Sequence, residues 1–210
     1  MKTVVCFGDS NTYGTNPEGG RHGWGVRWTS LVQIALQDEI RLIEEGLEGR
    51  TTVWDDPIER YKNGNEYLIP CLHTHKPIDV IVLMLGTNDT KKRFSVSAMD
   101  IANGNGVLIE TIRKECMHTQ ERQPAILLVA PIEIGEAIET IHFGGMFTPE
   151  SIEKSKQFAV EFAKIAQTYK CDFLNAAAVA VPAKADQLHM DEVSHKTLAE
   201  AITNKLKEIL

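Results

Sequence analysis

In "CFGDSNTYG", Ser10 follows the apolar run Thr3 to Phe7, and a hydroxyl presented where a strand ends can act as a nucleophile if an imidazole takes its proton. The chain offers such an imidazole in "ADQLHMDE", where Asp186 and His189 stand three residues apart, a spacing at which a turn folds the carboxylate back onto the ring. The carboxylate would hold the ring in its proton-accepting tautomer, which completes the parts of an acyl-transfer relay. Such a relay also needs donors for an oxyanion. The candidates are the backbone N–H of Ser10, the backbone N–H of Gly49 and the side-chain amide of Asn88. Glycine at 49 lets backbone approach a substrate closely.

Each of these residues has a plainer use. Asp9 or Ser10 can cap a helix, and Asn88 can form a turn. Asp191 and His195, four apart, are a rival acid-base pair, with His195 expected at a helix start. His73 and His75 in "LHTHKP" have no third metal ligand nearby in sequence and are expected at a solvated helix end. Asp55 and Asp56, followed by Pro57, are expected to initiate a turn.

A parallel sheet would bring the candidates together. Five short apolar runs recur, at 3–7, 40–43, 80–85, 125–130 and 172–174. Helical spacings separate them, in "RWTSLVQIAL", in "AMDIANGNGVLIETIRKECM", whose Gly104 and Gly106 weaken the pattern, and in "PESIEKSKQFAVEFAKIAQTYK". A last helix is expected from Ser194 to Ile209. Alternating strands and helices imply right-handed crossovers, with helices on both sheet faces and strand carboxyl ends on one rim. Ligands bind outside that rim. Ser10, Gly49 and Asn88 each follow a different strand there.

With 210 residues, 43% hydrophobic and 24% charged, the chain fits one domain, 1–210, with a sizeable core. A formal charge of −7 opposes nucleic acid or an anionic membrane as the main partner. The four cysteines are scattered without a C-x-x-C pair, so reduced thiols are expected. No apolar run is long enough to span a bilayer, and the start lacks a signal-peptide pattern, so cytoplasmic residence is expected. The absence of G-x-S-x-G around Ser10 excludes the usual nucleophile elbow.

The blocks "FGDSN", "EGLEG", "GTND" and "DQLH" resemble, in order, the four sequence blocks of the SGNH (GDSL-like) hydrolases. "VRWTSLV", "EEGLEGRTT" and "MLGTNDTK" are most similar to the bacterial arylesterase and acyltransferase branch. The resemblance implies a flavodoxin-like three-layer α/β/α sandwich on a five-stranded parallel sheet, with no metal and no cofactor. It also implies Ser10 as nucleophile, His189 as base, Asp186 as its orienter, and Ser10, Gly49 and Asn88 as the oxyanion hole. The substrate would be a short-chain, small-molecule ester, with acyl transfer as a side activity and a homo-oligomer as the assembly. Two positions depart from the family pattern: Asn11 stands where Leu or Ile is usual, and Glu44 where Asn is frequent. Glu44, Glu45 and Glu48 would add negative charge near the rim. Asn11, Trp24, Phe143 and Phe147 are the candidate substrate-pocket residues, the last two in the Gly-rich "IHFGGMFTP". The alternative is a flavodoxin-like phosphate- or nucleotide-binding module without hydrolase activity, which would need no Asp186 and His189 pair.

Overall fold

The computed structural model describes residues 1–210. Its sheet has five parallel strands, β1 (Lys2–Gly8), β2 (Ile40–Gly46), β3 (Val80–Met84), β4 (Ala125–Ala130) and β5 (Asp172–Asn175), in the order β2-β1-β3-β4-β5. This is the flavodoxin order, whose topological switch point lies between β1 and β3. Six helices connect and cover the strands: α1 (Ser10–Tyr13), α2 (Trp28–Ala35), α3 (Gly64–His75), α4 (Ala98–Gln120), α5 (Pro149–Tyr169) and α6 (Glu192–Ile209).

Successive side chains of a strand point to opposite faces, and each face here is apolar. Val5, Phe7, Ile81, Leu83, Ile126 and Leu128 pack beneath α3, α4 and α5. Val4, Cys6, Val80, Val82, Leu127 and Val129 pack beneath α2 and α6, with Trp28 fully buried among them. Burial on both faces explains why the central strands read as continuous apolar runs rather than alternating ones. The four cysteines are free thiols, three of them buried.

The strand at the sheet edge differs from its sequence reading. β2 continues past Ile43 through Glu44 and Glu45 to Gly46, because both carboxylates find side-chain partners, Arg27 for Glu44 and the His75 ring for Glu45. α4 passes unbroken through Gly104 and Gly106. At Gly104 a Cβ would lie 2.5 Å from the Thr52 hydroxyl oxygen, so the missing side chain lets a loop seat against the helix. α3 begins at Gly64 and contains Pro70, two residues that disfavour a helix, so it has no clear helical signature in the sequence.

The register sets Gly8 beside Gly46 on one side and beside Met84 on the other. The turns after β1, β2 and β3 therefore leave the sheet side by side. No helix is long and apolar enough to cross a membrane.

Candidate active site

The capping use considered for Gly-Asp-Ser falls to Asp9 rather than to Ser10. Asp9 is the N-cap of α1, accepting the Asn11 N–H at 3.0 Å, which leaves the Ser10 hydroxyl unengaged by the cap. Burial raises the Asp9 carboxyl to about 6, against the pull of the Asn11 N–H, His189 and Arg50.

The Ser10 hydroxyl lies 2.9 Å from His189 Nε2, and His189 Nδ1 lies 2.6 Å from Asp186 Oδ2. The turn anticipated between Asp186 and His189 forms with Gln187 at φ +60°. Asp186 Oδ1 accepts the N–H groups of Leu188 at 3.0 Å and His189 at 2.9 Å. Burial acts to raise the Asp186 carboxyl, but the His189 ring and these N–H groups outweigh it and hold it below its ordinary value. The carboxylate therefore stays charged where it faces the imidazole. Ser10 and His189 are both buried, and His189, with Asp186, lines a cavity.

The expected donors stand on the neighbouring turns. Asn88 begins the 3₁₀ turn Asn88–Thr90 after β3, and its side-chain Nδ2 is buried with no acceptor in the protein. A buried amide donor without a partner carries a desolvation penalty that an incoming anionic oxygen relieves. Gly49 follows β2 with φ +79°, and its N–H finds no backbone acceptor. Arg50 braces this rim, donating to the carbonyls of Gly8 and Glu45 while its guanidinium lies over the Phe7 ring.

The structure separates the four candidate pocket residues. Phe143 lines the cavity and meets the His189 ring edge-on, with centroids 5.7 Å apart. Phe147 is instead a core residue, buried with Ile134, Ile138, Ile152 and Leu188. Trp24 is 62% exposed beside Arg27 and lies off the cavity wall. Asn11 is buried and turned inward: its Oδ1 accepts the Met190 N–H at 3.0 Å and its Nδ2 donates to the Leu188 carbonyl at 3.3 Å. The polar side chain thus fastens the turn that carries Ser10 to the backbone on either side of His189. Its backbone carbonyl accepts Trp28 Nε1 at 3.1 Å.

The acidic residues at the end of β2 and just beyond it do not form a free negative patch. Glu44 pairs with Arg27 and Arg21 and accepts the Thr29 hydroxyl, which together outweigh its partial burial and hold its carboxyl below the ordinary value. Glu45 binds His75 at 2.6 Å, and Glu48 accepts the Thr15 hydroxyl at 2.7 Å. His75, like His73 with Glu115, is therefore held by a carboxylate rather than by water alone. Glu45, Cys71 and His75 bring one ligand atom each within 4.8 Å of the others, the one grouping able to hold a metal. The Arg50 cation beside Glu45 and Cys71 opposes a second cation there.

The rival pair is accounted for elsewhere. Asp191 caps α6 through the Ser194 N–H at 2.8 Å. His195 is fully buried, its Nδ1 accepting the Trp28 N–H at 3.3 Å. Burial, with His22 beside it, lowers its ring to about 3. Asp56 accepts the N–H groups of Ile58 and Glu59, as a turn initiator does.

The cavity over His189 encloses about 520 Å³. Tyr13, Thr15, Asn16, Glu48 and Arg21 supply most of its polar wall, with His142 and Phe143 opposite. The hydroxyl, imidazole and carboxylate thus lie in hydrogen-bonding sequence, the arrangement that nucleophilic acyl transfer requires.

Residues 6–196 match the family model for GDSL-like lipases and acylhydrolases. The chain belongs to this family and is a carboxylic ester hydrolase. A carbohydrate acetylesterase from Sinorhizobium meliloti is 34% identical, covers 100% of both chains and superposes with a TM-score of 0.94. The aryl esterase of M. smegmatis is 32% identical over 100% of both chains, with a TM-score of 0.93. A lipase/acylhydrolase from Enterococcus faecalis, 18% identical over 99% of this chain and 96% of its own, shares the fold at a TM-score of 0.72. No curated protein matches the chain at a significant level.

Proposed function

We propose that the protein hydrolyses short-chain acyl esters through a covalent intermediate on Ser10. The observation that carries this reading is the continuous chain from Ser10 Oγ through His189 to Asp186, at 2.9 and 2.6 Å. In this mechanism His189 takes the Ser10 proton as the hydroxyl oxygen attacks the ester carbonyl. The resulting oxyanion is held by the N–H groups of Ser10 and Gly49 and by the Asn88 amide. His189 then protonates the departing alcohol, and a water molecule, deprotonated by the same ring, releases the acid and restores Ser10. Asp186 remains ionised throughout and stabilises the imidazolium.

The cavity bears on substrate choice. A polar wall of Tyr13, Thr15, Asn16 and Glu48 suits a hydroxylated or aryl alcohol better than a long acyl chain, whose methylenes would meet polar groups. The names of the S. meliloti and M. smegmatis proteins, a carbohydrate acetylesterase and an aryl esterase, point the same way. The test is turnover of p-nitrophenyl acetate by Ser10→Ala and His189→Ala. Each should lose roughly 10³-fold or more in kcat with an unchanged circular dichroism spectrum. Wild-type turnover in either variant would overturn the assignment.

A further inference from the structure

The Asp89 side chain has no part in the relay, although it follows Asn88 directly and is fully buried. Its Oδ1 accepts the Thr52 N–H at 2.9 Å and the Thr52 hydroxyl at 2.5 Å, while its Oδ2 receives the same N–H at 3.2 Å. We infer that Asp89 is a positioning residue for the oxyanion hole, fastening the loop that carries Gly49 to the turn that carries Asn88. The inference rests on the proposed roles of Gly49 and Asn88 as oxyanion donors.

Three observations converge on it. The hydrogen bonds that join residues 49–52 directly to residues 86–90 all end on Asp89, so it is the one direct polar tie between the two donor-bearing segments. The remaining bonds of that loop run elsewhere: the carbonyls of Thr51 and Thr52 accept the N–H groups of Gly64 and Asn65 at the start of α3. Finally, α4 packs closely on the Thr52 side chain at Gly104, where a Cβ would lie 2.5 Å from its hydroxyl oxygen, so the residue has little room to move away from the carboxylate.

Burial raises the Asp89 carboxyl to about 7, and where it ionises, a negative charge one residue from an oxyanion donor is adverse to the charge that develops there. Its advantage over a neutral side chain is as an acceptor, since all the groups facing it from Thr52 are donors. An asparagine would keep one accepting oxygen for the two shorter bonds and lose the third; an alanine would lose all of them. Misplacing a catalytic group by about 1 Å can cost on the order of 10²-fold in rate.

The experiment compares kcat and KM on p-nitrophenyl acetate for Asp89→Ala, Asp89→Asn, Thr52→Val, Asn88→Ala and the double variant Asp89→Ala/Asn88→Ala. Asp89→Ala should lose roughly 10- to 10²-fold in kcat with KM changed by less than about threefold, and Asp89→Asn should recover most of that loss. The double variant should fall within about threefold of Asn88→Ala alone, because the two residues serve one hole. Wild-type kcat in Asp89→Ala, or losses that multiply in full in the double variant, would overturn the positioning role while leaving the donor role standing. Full activity in Asn88→Ala would overturn the donor reading itself. Should Asp89→Ala fail to fold, Thr52→Val removes the hydroxyl from the other side of the bond: a severalfold loss of kcat is expected, and an unchanged kcat overturns the inference.

Discussion

Restoring the residue usual after Gly-Asp-Ser in this family should damage this protein. Asn11→Leu removes the acceptor for the Met190 N–H, now at 3.0 Å, and the donor to the Leu188 carbonyl, now at 3.3 Å. Both backbone groups belong to buried residues and have no water to turn to. Leaving a buried polar group unpaired costs about 1–3 kcal/mol, with the longer bond at the low end, for a gross loss of about 2–4 kcal/mol. Extra apolar burial by leucine offsets about 1 kcal/mol of that. The net loss of about 1–3 kcal/mol corresponds to a fall in Tm of about 3–10 °C for a domain of this size. Because the two anchors flank His189, kcat should also fall by about tenfold or more. Urea unfolding with steady-state kinetics on p-nitrophenyl acetate measures both effects. An Asn11→Leu protein with wild-type midpoint and wild-type kcat would refute the view that this amide holds the base to the nucleophile turn.

Asn88→Ala should lower kcat on the order of 10²-fold with a smaller change in KM, since on the proposed mechanism its unpaired amide would act on charge that develops in the transition state; equal kcat would contradict that role. Across a p-nitrophenyl ester series, kcat/KM should be highest for acetyl and propionyl and low from octanoyl upward; an optimum at eight carbons or longer would contradict the polar-cavity argument. Burial keeps His195 neutral down to about pH 3, against an ordinary value of 6.5, so between these values the unfolded chain binds a proton that the folded chain does not. Its contribution to stability is thus complete above 6.5 and is lost as pH falls. Asp9 and Asp89, raised by burial to about 6 and about 7, act in the opposite direction over an overlapping window. The test is therefore a difference: between pH 7 and pH 5, His195→Gln should lose less stability than wild type, and equal losses would contradict the burial account.

The sheet and the pairing of Asp186 with His189 were legible in the sequence because both rest on local signals. Buried parallel strands give apolar runs, and the Asp186–His189 pair needs only a three-residue turn. Ser10, Gly49 and Asn88 were legible by position, since a parallel sheet delivers the ends of β1, β2 and β3 to one rim. The pocket was harder. Phe143 and Phe147 sit four apart in one Gly-rich segment, yet one faces His189 and the other fills a small core, a choice made by packing against Ile134 and Ile152. Asn11 reads as a polar intrusion next to a nucleophile until the distant Leu188 and Met190 backbone arrives to satisfy it. The same holds for Glu44, whose partners Arg21 and Arg27 come from the loop before α2. The Asp89–Thr52 tie spans 37 residues and leaves no periodic trace; adjacency to Asn88 was its only signal in the sequence.

The central claim is that Ser10, alone among the hydroxyls, is activated for attack. The most direct measurement is labelling of the native protein with a fluorophosphonate, followed by mass mapping of the adduct and assay of residual activity. A single adduct on Ser10, formed in proportion to the loss of esterase activity and absent from Ser10→Ala, is the predicted result. An adduct on another residue, or full esterase activity in a protein whose Ser10 is completely modified, would contradict it.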